Sequence, residues 1–162
     1  MAGLRVCCAL LAGFVTGAVP ASADDSFTPR PGERLAIADC LSSARAAADE
    51  PDTCIGVVAD PCLETDEGMT TLGMTACASR EADIWDELLN QNYSRAREGL
   101  SEEASTGLRD VQRLWIEYRD AKCAFPRLQF EGGTIAGPMS AYCVMDMTAR
   151  RALELAEIAE TP

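Results

Sequence analysis

The residues best placed to do chemistry in this chain are its cysteines. Of eight, Cys7 and Cys8 fall in an apolar N-terminal stretch, leaving Cys40, Cys54, Cys62, Cys77, Cys123 and Cys143. An even set of thiols without a C-x-x-C pair, in a chain with no histidine, argues against a zinc site and for three disulfides made in an oxidising compartment. The missing histidine also removes Ser-His-Asp and Cys-His catalysis and any His-ligated metal. Carboxylate pairs, a reactive thiol or a Ser-Lys pair are what remain for an enzyme. Lys122 is the only lysine, and its place on a helix reads as a snorkelling surface residue. Met139, Met145 and Met147 carry soft thioethers that suit copper(I), but their spacing is loose and methionine commonly fills cores. The expectation is a binding protein without catalytic residues, cofactor or metal.

The ends set the compartment. Met1 to Arg5 is short and positive, Val6 to Val19 is apolar at signal-peptide length, and Ala21-Ser22-Ala23 offers a cleavage pattern. Residues 1–23 are therefore expected to be a signal peptide cleaved before Asp24, giving a periplasmic or secreted product. With Arg5 and Val6 before Cys7 and Cys8, the site for lipid attachment is poor, so no membrane anchor is expected. The full chain has a net charge of −12; losing Arg5 and no acid brings it to −13. Such a chain repels nucleic acid and anionic lipid and attracts cationic partners, although this charge also serves simply to keep an exported protein in solution.

The elements that hold the cysteines read as helices. Residues 24–32, with Pro29 and Pro31, read as a flexible arm. Residues 33–68 read as a helical hairpin: a first helix over 33–48, a break at Asp49-Glu50-Pro51-Asp52, and a short second helix ended by Pro61. Residues 69–162 form the main helical domain, in one compact unit with the hairpin. Its third helix starts at Thr70 or Thr71 and stops near Gly99. Ser101 caps a short turn, and Gly107 marks the joint before a fourth helix, Leu108 to Phe125, ended by Pro126. Arg127 to Pro138, with Gly132, Gly133 and Gly137, is a loop, and a fifth helix runs over 140–160. The fold class is all-α, a disulfide-stapled helical bundle of about four to five helices.

Cys123 closes the fourth helix and Cys143 opens the fifth, so a bridge between them pins the loop at its base. The other four cysteines allow Cys40–Cys62 with Cys54–Cys77, or Cys40–Cys54 with Cys62–Cys77.

The fourth helix carries the densest pattern. Leu108, Val111, Trp115, Tyr118 and Lys122 recur at helical spacing, with Arg109, Asp110, Arg113, Glu117, Arg119 and Asp120 between them. Trp115 and Tyr118 are expected in the core. Arg113 and Glu117 are spaced to pair at i, i+4. Arg119 and Asp120 point apart, so Arg119 is expected to reach an acid of the third helix, Glu81 or Asp86. The acidic stretches Glu64–Glu67 and Glu102-Glu103 read as solvated loops that could steer a cationic partner.

Trp and Leu-Leu-Asn-x-x-Tyr between Glu81 and Tyr93, then Leu-Arg-x-x-Gln-Arg-x-Trp-Ile-x-Tyr-Arg-Asp-x-x-Cys over 108–123, Gly132-Gly133 and Cys143 together resemble the exported helical domain named after the lysozyme inhibitor LprI. The resemblance covers roughly Cys77 to Ile158, and its most specific residues are Gln112, Trp115, Tyr118, Arg119, Asp120 and Cys123. It implies a protein partner, a lysozyme, and supplies no catalytic residues. The namesake is a lipoprotein, a feature that does not carry over. Lysozymes are commonly basic and work through two carboxyl groups in a cleft. The clamped loop Gln129 to Pro138 is the piece expected to fill such a cleft, with Gln129, Phe130, Glu131, Thr134 and Ile135 as candidate partner-binding residues. The competing reading is a periplasmic structural or interaction module without lysozyme inhibition.

Overall fold

The structure, a computed structural model, describes residues 26–161. The expected signal peptide lies outside them. Among the described residues there are five α-helices and no strand: α1 (Glu33–Ala47), α2 (Ala59–Leu63), α3 (Thr71–Gly99), α4 (Glu102–Gln129) and α5 (Ala136–Glu160), with a 3-10 turn at Pro51–Cys54 between α1 and α2.

The centre is the α3–α5 pair. Ala78, Ala82, Ala149 and Ala152 are all buried, and such small side chains let two helices approach closely. Trp85, Ile37 and Leu155 fill the space around them and are fully enclosed. Thr70 starts α3, its hydroxyl accepting from the Gly73 amide. α1 is tied to α3 by two ion pairs. Arg34 pairs with Glu87 at 2.6 Å on the surface, and the buried Arg80 guanidinium pairs with Glu33 at 3.1 Å. Arg80 also donates to the Ser26 carbonyl at 3.0 Å, which holds the segment before α1 against the bundle.

Two of the expected boundaries shift for local reasons. Pro61 does not end a helix; it sits in the first turns of the short α2, where its missing N–H costs nothing. Ser101 caps a full helix, accepting from the Ala104 amide at 3.2 Å, so α4 begins six residues before Leu108. The helix passes Gly107, which faces open space, and continues through Pro126 to Gln129. Proline in a helix interior removes one ladder bond. Here Pro126 is buried, and that packing offsets the loss. Because α5 also starts early, at Ala136, the expected loop of Gln129 to Pro138 shrinks to residues 130–135.

The disulfides are Cys40–Cys54, Cys62–Cys77 and Cys123–Cys143, with Cα–Cα distances of 5.7, 5.8 and 5.3 Å. The Cys40–Cys62 with Cys54–Cys77 arrangement does not occur. The 3-10 turn folds the chain straight back onto α1, which brings Cys54 to Cys40 before α2 begins. Cys62, in α2, is left to bridge to Cys77 in α3. Gly68 makes this junction possible: a β-carbon there would lie 1.9 Å from the Cys62 carbonyl oxygen.

Candidate functional site: the clamped turn and α4

α4 packs along α5 and touches α3 only sparsely. Its lock on α5 is Gln112. The buried Gln112 side-chain oxygen accepts from Arg151 Nε at 2.8 Å, and Arg151 also pairs with Glu154 at 2.7 Å. Gln112, expected as a motif residue, is thus the polar contact that orients α4. Cys123 is buried beside Met147, with the sulfurs 3.7 Å apart, and Met145 sits in the core. Met139 is exposed on the other side of the turn.

The sparse contact between α3 and α4 leaves a cavity of about 280 Å³, lined by Asn90 and Tyr93 from α3 and by Arg109, Gln112, Trp115 and Arg119 from α4. Trp115 is half-buried there, with the Arg119 guanidinium stacked 5.1 Å from its ring centre. Arg119 does not reach Glu81 or Asp86. It donates to Asp120, at 2.8 Å from Nη2. Neighbours on a helix point apart at Cβ, but the long Arg119 side chain bends back to the short carboxylate. Tyr118, expected in the core, is 59% exposed. Arg113 lies 3.9 Å from Asp110, not beside Glu117.

Glu81 needs no arginine. Its Oε1 accepts from the Gly56 amide at 2.7 Å and from Trp85 Nε1 at 2.9 Å; its Oε2 accepts from the Val58 and Ala59 amides at 2.9 and 2.7 Å. Two of these amides open α2, where a helix N-terminus favours negative charge. Gly56 reaches the carboxylate from the left-handed region, at φ 99°. With four donors in place and no exposure to solvent, Glu81 is a structural anchor and not an acid available to a substrate. Sequence reasoning offered Glu81 only as a partner for Arg119 and missed this role. The one available signal was Trp85 four residues on, within indole reach on the same face.

The turn between α4 and α5 is ordered by its own backbone. Gly132 N–H donates to the Arg127 carbonyl at 3.0 Å, Gly133 to Phe130 at 2.7 Å, Ala136 to Gly133 at 3.0 Å and Met139 to Ile135 at 3.1 Å. Cys123–Cys143 closes its base. Of the candidate partner-binding residues, Gln129, Glu131, Thr134 and Ile135 are exposed and Phe130 is half-buried. Gln129 belongs to the last turn of α4, so Phe130 to Ile135 form the turn itself. This end of the molecule offers apolar contacts with one acid and no nucleophile or acid–base pair. No group of three or more His, Cys, Asp or Glu side chains that could hold a metal occurs among the described residues, and none of their helices is long and apolar enough to cross a membrane.

The family model of lysozyme inhibitor LprI matches residues 62–155, which takes in α3, α4, most of α5 and the two disulfides Cys62–Cys77 and Cys123–Cys143, while α1 lies before it. An uncharacterised protein of Rhizobium meliloti (strain 1021) is 25% identical over 135 residues, covering 75% of this chain and 88% of its own length. No solved structure matches. Three disulfides and this family match together point to an exported protein. With more than half its length matched, the chain belongs to the lysozyme inhibitor LprI family.

Proposed function

We propose that this protein is exported to the periplasm or beyond, after cleavage near Ala23-Asp24, and there binds and blocks a cationic lysozyme-type glycan hydrolase. The observation that carries this reading is the turn Phe130–Ile135, which is braced by backbone hydrogen bonds, clamped by Cys123–Cys143 and exposed at Glu131, Thr134 and Ile135. A braced turn enters a cleft with little ordering cost. The net charge of −13 left after cleavage steers the protein toward a basic surface and speeds encounter. Blocking a cleft needs no chemistry from the inhibitor.

The test is lysis of bacterial cell walls by a c-type lysozyme, followed by turbidity, with the oxidised protein titrated in at low and at near-physiological salt. Saturable inhibition that weakens with salt but persists near physiological strength supports the reading. Inhibition at low salt alone would reduce it to nonspecific charge pairing. The second reading, an envelope interaction module without lysozyme inhibition, is favoured by the apolar outer face of α4, where Leu114 and Leu128 are exposed.

A further inference from the structure

The outer face of α4 carries a repeat that its own fold leaves uncovered. Val111, Leu114, Tyr118, Ala121, Phe125 and Leu128 follow one another in alternating steps of three and four. This is the spacing of the a and d positions of a heptad. The five large side chains among them are 51–78% exposed. At 100° per residue, their mean direction lies about 140° around the helix from Gln112, Cys123 and Pro126, the buried residues on the side packed toward α5. A helix of a single folded domain normally has one apolar stripe; α4 has a second one facing water.

We propose that this stripe is the seam of a parallel two-fold dimer, α4 of one copy against α4 of a second copy of the chain. The register follows from charge. With Val111, Tyr118 and Phe125 as a positions, Glu117 falls at g and Lys122 at e. In a parallel pair, g of one helix meets e of the next heptad on the other, five residues along. Glu117 of each copy then faces Lys122 of the second copy, and symmetry makes the contact twice. Within its own chain Glu117 makes no ion pair among the described residues, and Lys122 rests only over the Tyr118 ring at 5.9 Å. The antiparallel alignment that overlaps the same six residues sets Lys122 beside Trp115 of the second copy and Glu117 beside Ala124, so no opposite charges meet. The seam from Val111 to Leu128 is about 26 Å long, short for a coiled coil but carried by a helix that α5 already holds in place. A contact of this length belongs at the small end of specific interfaces, so association is expected at micromolar concentrations or above. Two chains of net charge −12 repel at long range, and salt screens this repulsion together with the Glu117–Lys122 contacts.

The experiment is sedimentation velocity on protein expressed from the full chain with its disulfides intact, from low to several hundred micromolar. A monomer–dimer equilibrium is expected. Leu114→Glu, at an exposed position, should leave a folded monomer by circular dichroism. Glu117→Lys and Lys122→Glu should each weaken the dimer about tenfold, and the double exchange should restore it. A monomer throughout the concentration range would overturn the proposal and leave the stripe to another partner. So would a dimer indifferent to Leu114→Glu, or a double exchange weaker than either single change. None of these outcomes depends on whether lysozyme is the target.

Discussion

Replacing Glu81 by glutamine changes one atom type and almost no volume, yet the structure makes it costly. Four N–H donors converge on the carboxylate, two on each oxygen, and all are buried. Glutamine keeps one acceptor oxygen and turns an NH₂ group toward the other two donors. If its oxygen serves Val58 and Ala59, then Gly56 N–H and Trp85 Nε1–H lose their partner and meet another donor. A buried donor left unsatisfied costs about 1–3 kcal/mol, so the pair amounts to about 4 kcal/mol. With an unfolding entropy of about 2 cal/mol/K per residue, that lowers Tm by roughly 10–15 °C for a domain of this size. The control is Glu87→Gln on the same helix. Its pair with Arg34 is exposed on both sides, and a surface pair of this kind contributes about 1 kcal/mol at most. Both variants should be melted in oxidised form, followed by Trp fluorescence and circular dichroism. A Glu81→Gln protein as stable as Glu87→Gln would refute the anchor and the argument that binds the hairpin to α3 through it.

Removing the turn's clamp with Cys123→Ser and Cys143→Ser together should cost about 3 kcal/mol in the chain-entropy model for a loop of this size, measured by urea titration. Gly68→Ala should lower Tm markedly, because its β-carbon would overlap the Cys62 carbonyl and the backbone between two disulfide-bonded cysteines has little room to move. Asp83, exposed on α3, has a carboxyl pKa raised first by the partial desolvation of its group and then by the charges of Asp86 and Glu87, partly countered by Arg34. Its folded state therefore disfavours the charged form, a cost present above its pKa and absent once pH falls through it. Asp83→Asn should raise Tm slightly at neutral pH, and the gain should fade in acid; a gain that grows with acidification would contradict the assignment.

The helical class, α1, the start of α3 at Thr70 or Thr71 and the motif of α4 were legible in the sequence because local pattern and packing agree there. α4 shows where they part. Gly107 and Pro126 are local breakers, about 1 and 3 kcal/mol respectively in a free helix. The helix runs through both because Cys123 and Pro126 are buried on the side toward α5, a long-range gain that no window of sequence displays. The orientation of α4 was equally hidden. Two stripes alternate on it, and the apolar one with Val111 and Tyr118 reads as the core, whereas the fold buries the side with Gln112 and Cys123. Arg119 followed the same error: on a helix turned this way it stacks on Trp115 and reaches Asp120 rather than α3. The hairpin pairing was ambiguous for a simpler reason. Two arrangements close loops of acceptable length, and only the tight 3-10 turn at Pro51–Cys54 selects between them.

The central claim is that the clamped turn is the surface that meets the hydrolase. Its most direct test is the affinity of the oxidised protein for a c-type lysozyme at near-physiological salt, compared with that of a Glu131→Lys, Ile135→Ser variant, both by titration calorimetry. The two changes lie at exposed positions and should leave the melting curve in place. The account predicts saturable binding by the unaltered protein and a loss of tenfold or more in the variant, about 1.4 kcal/mol or above. Equal affinities for the two proteins, or no binding by either, would contradict it.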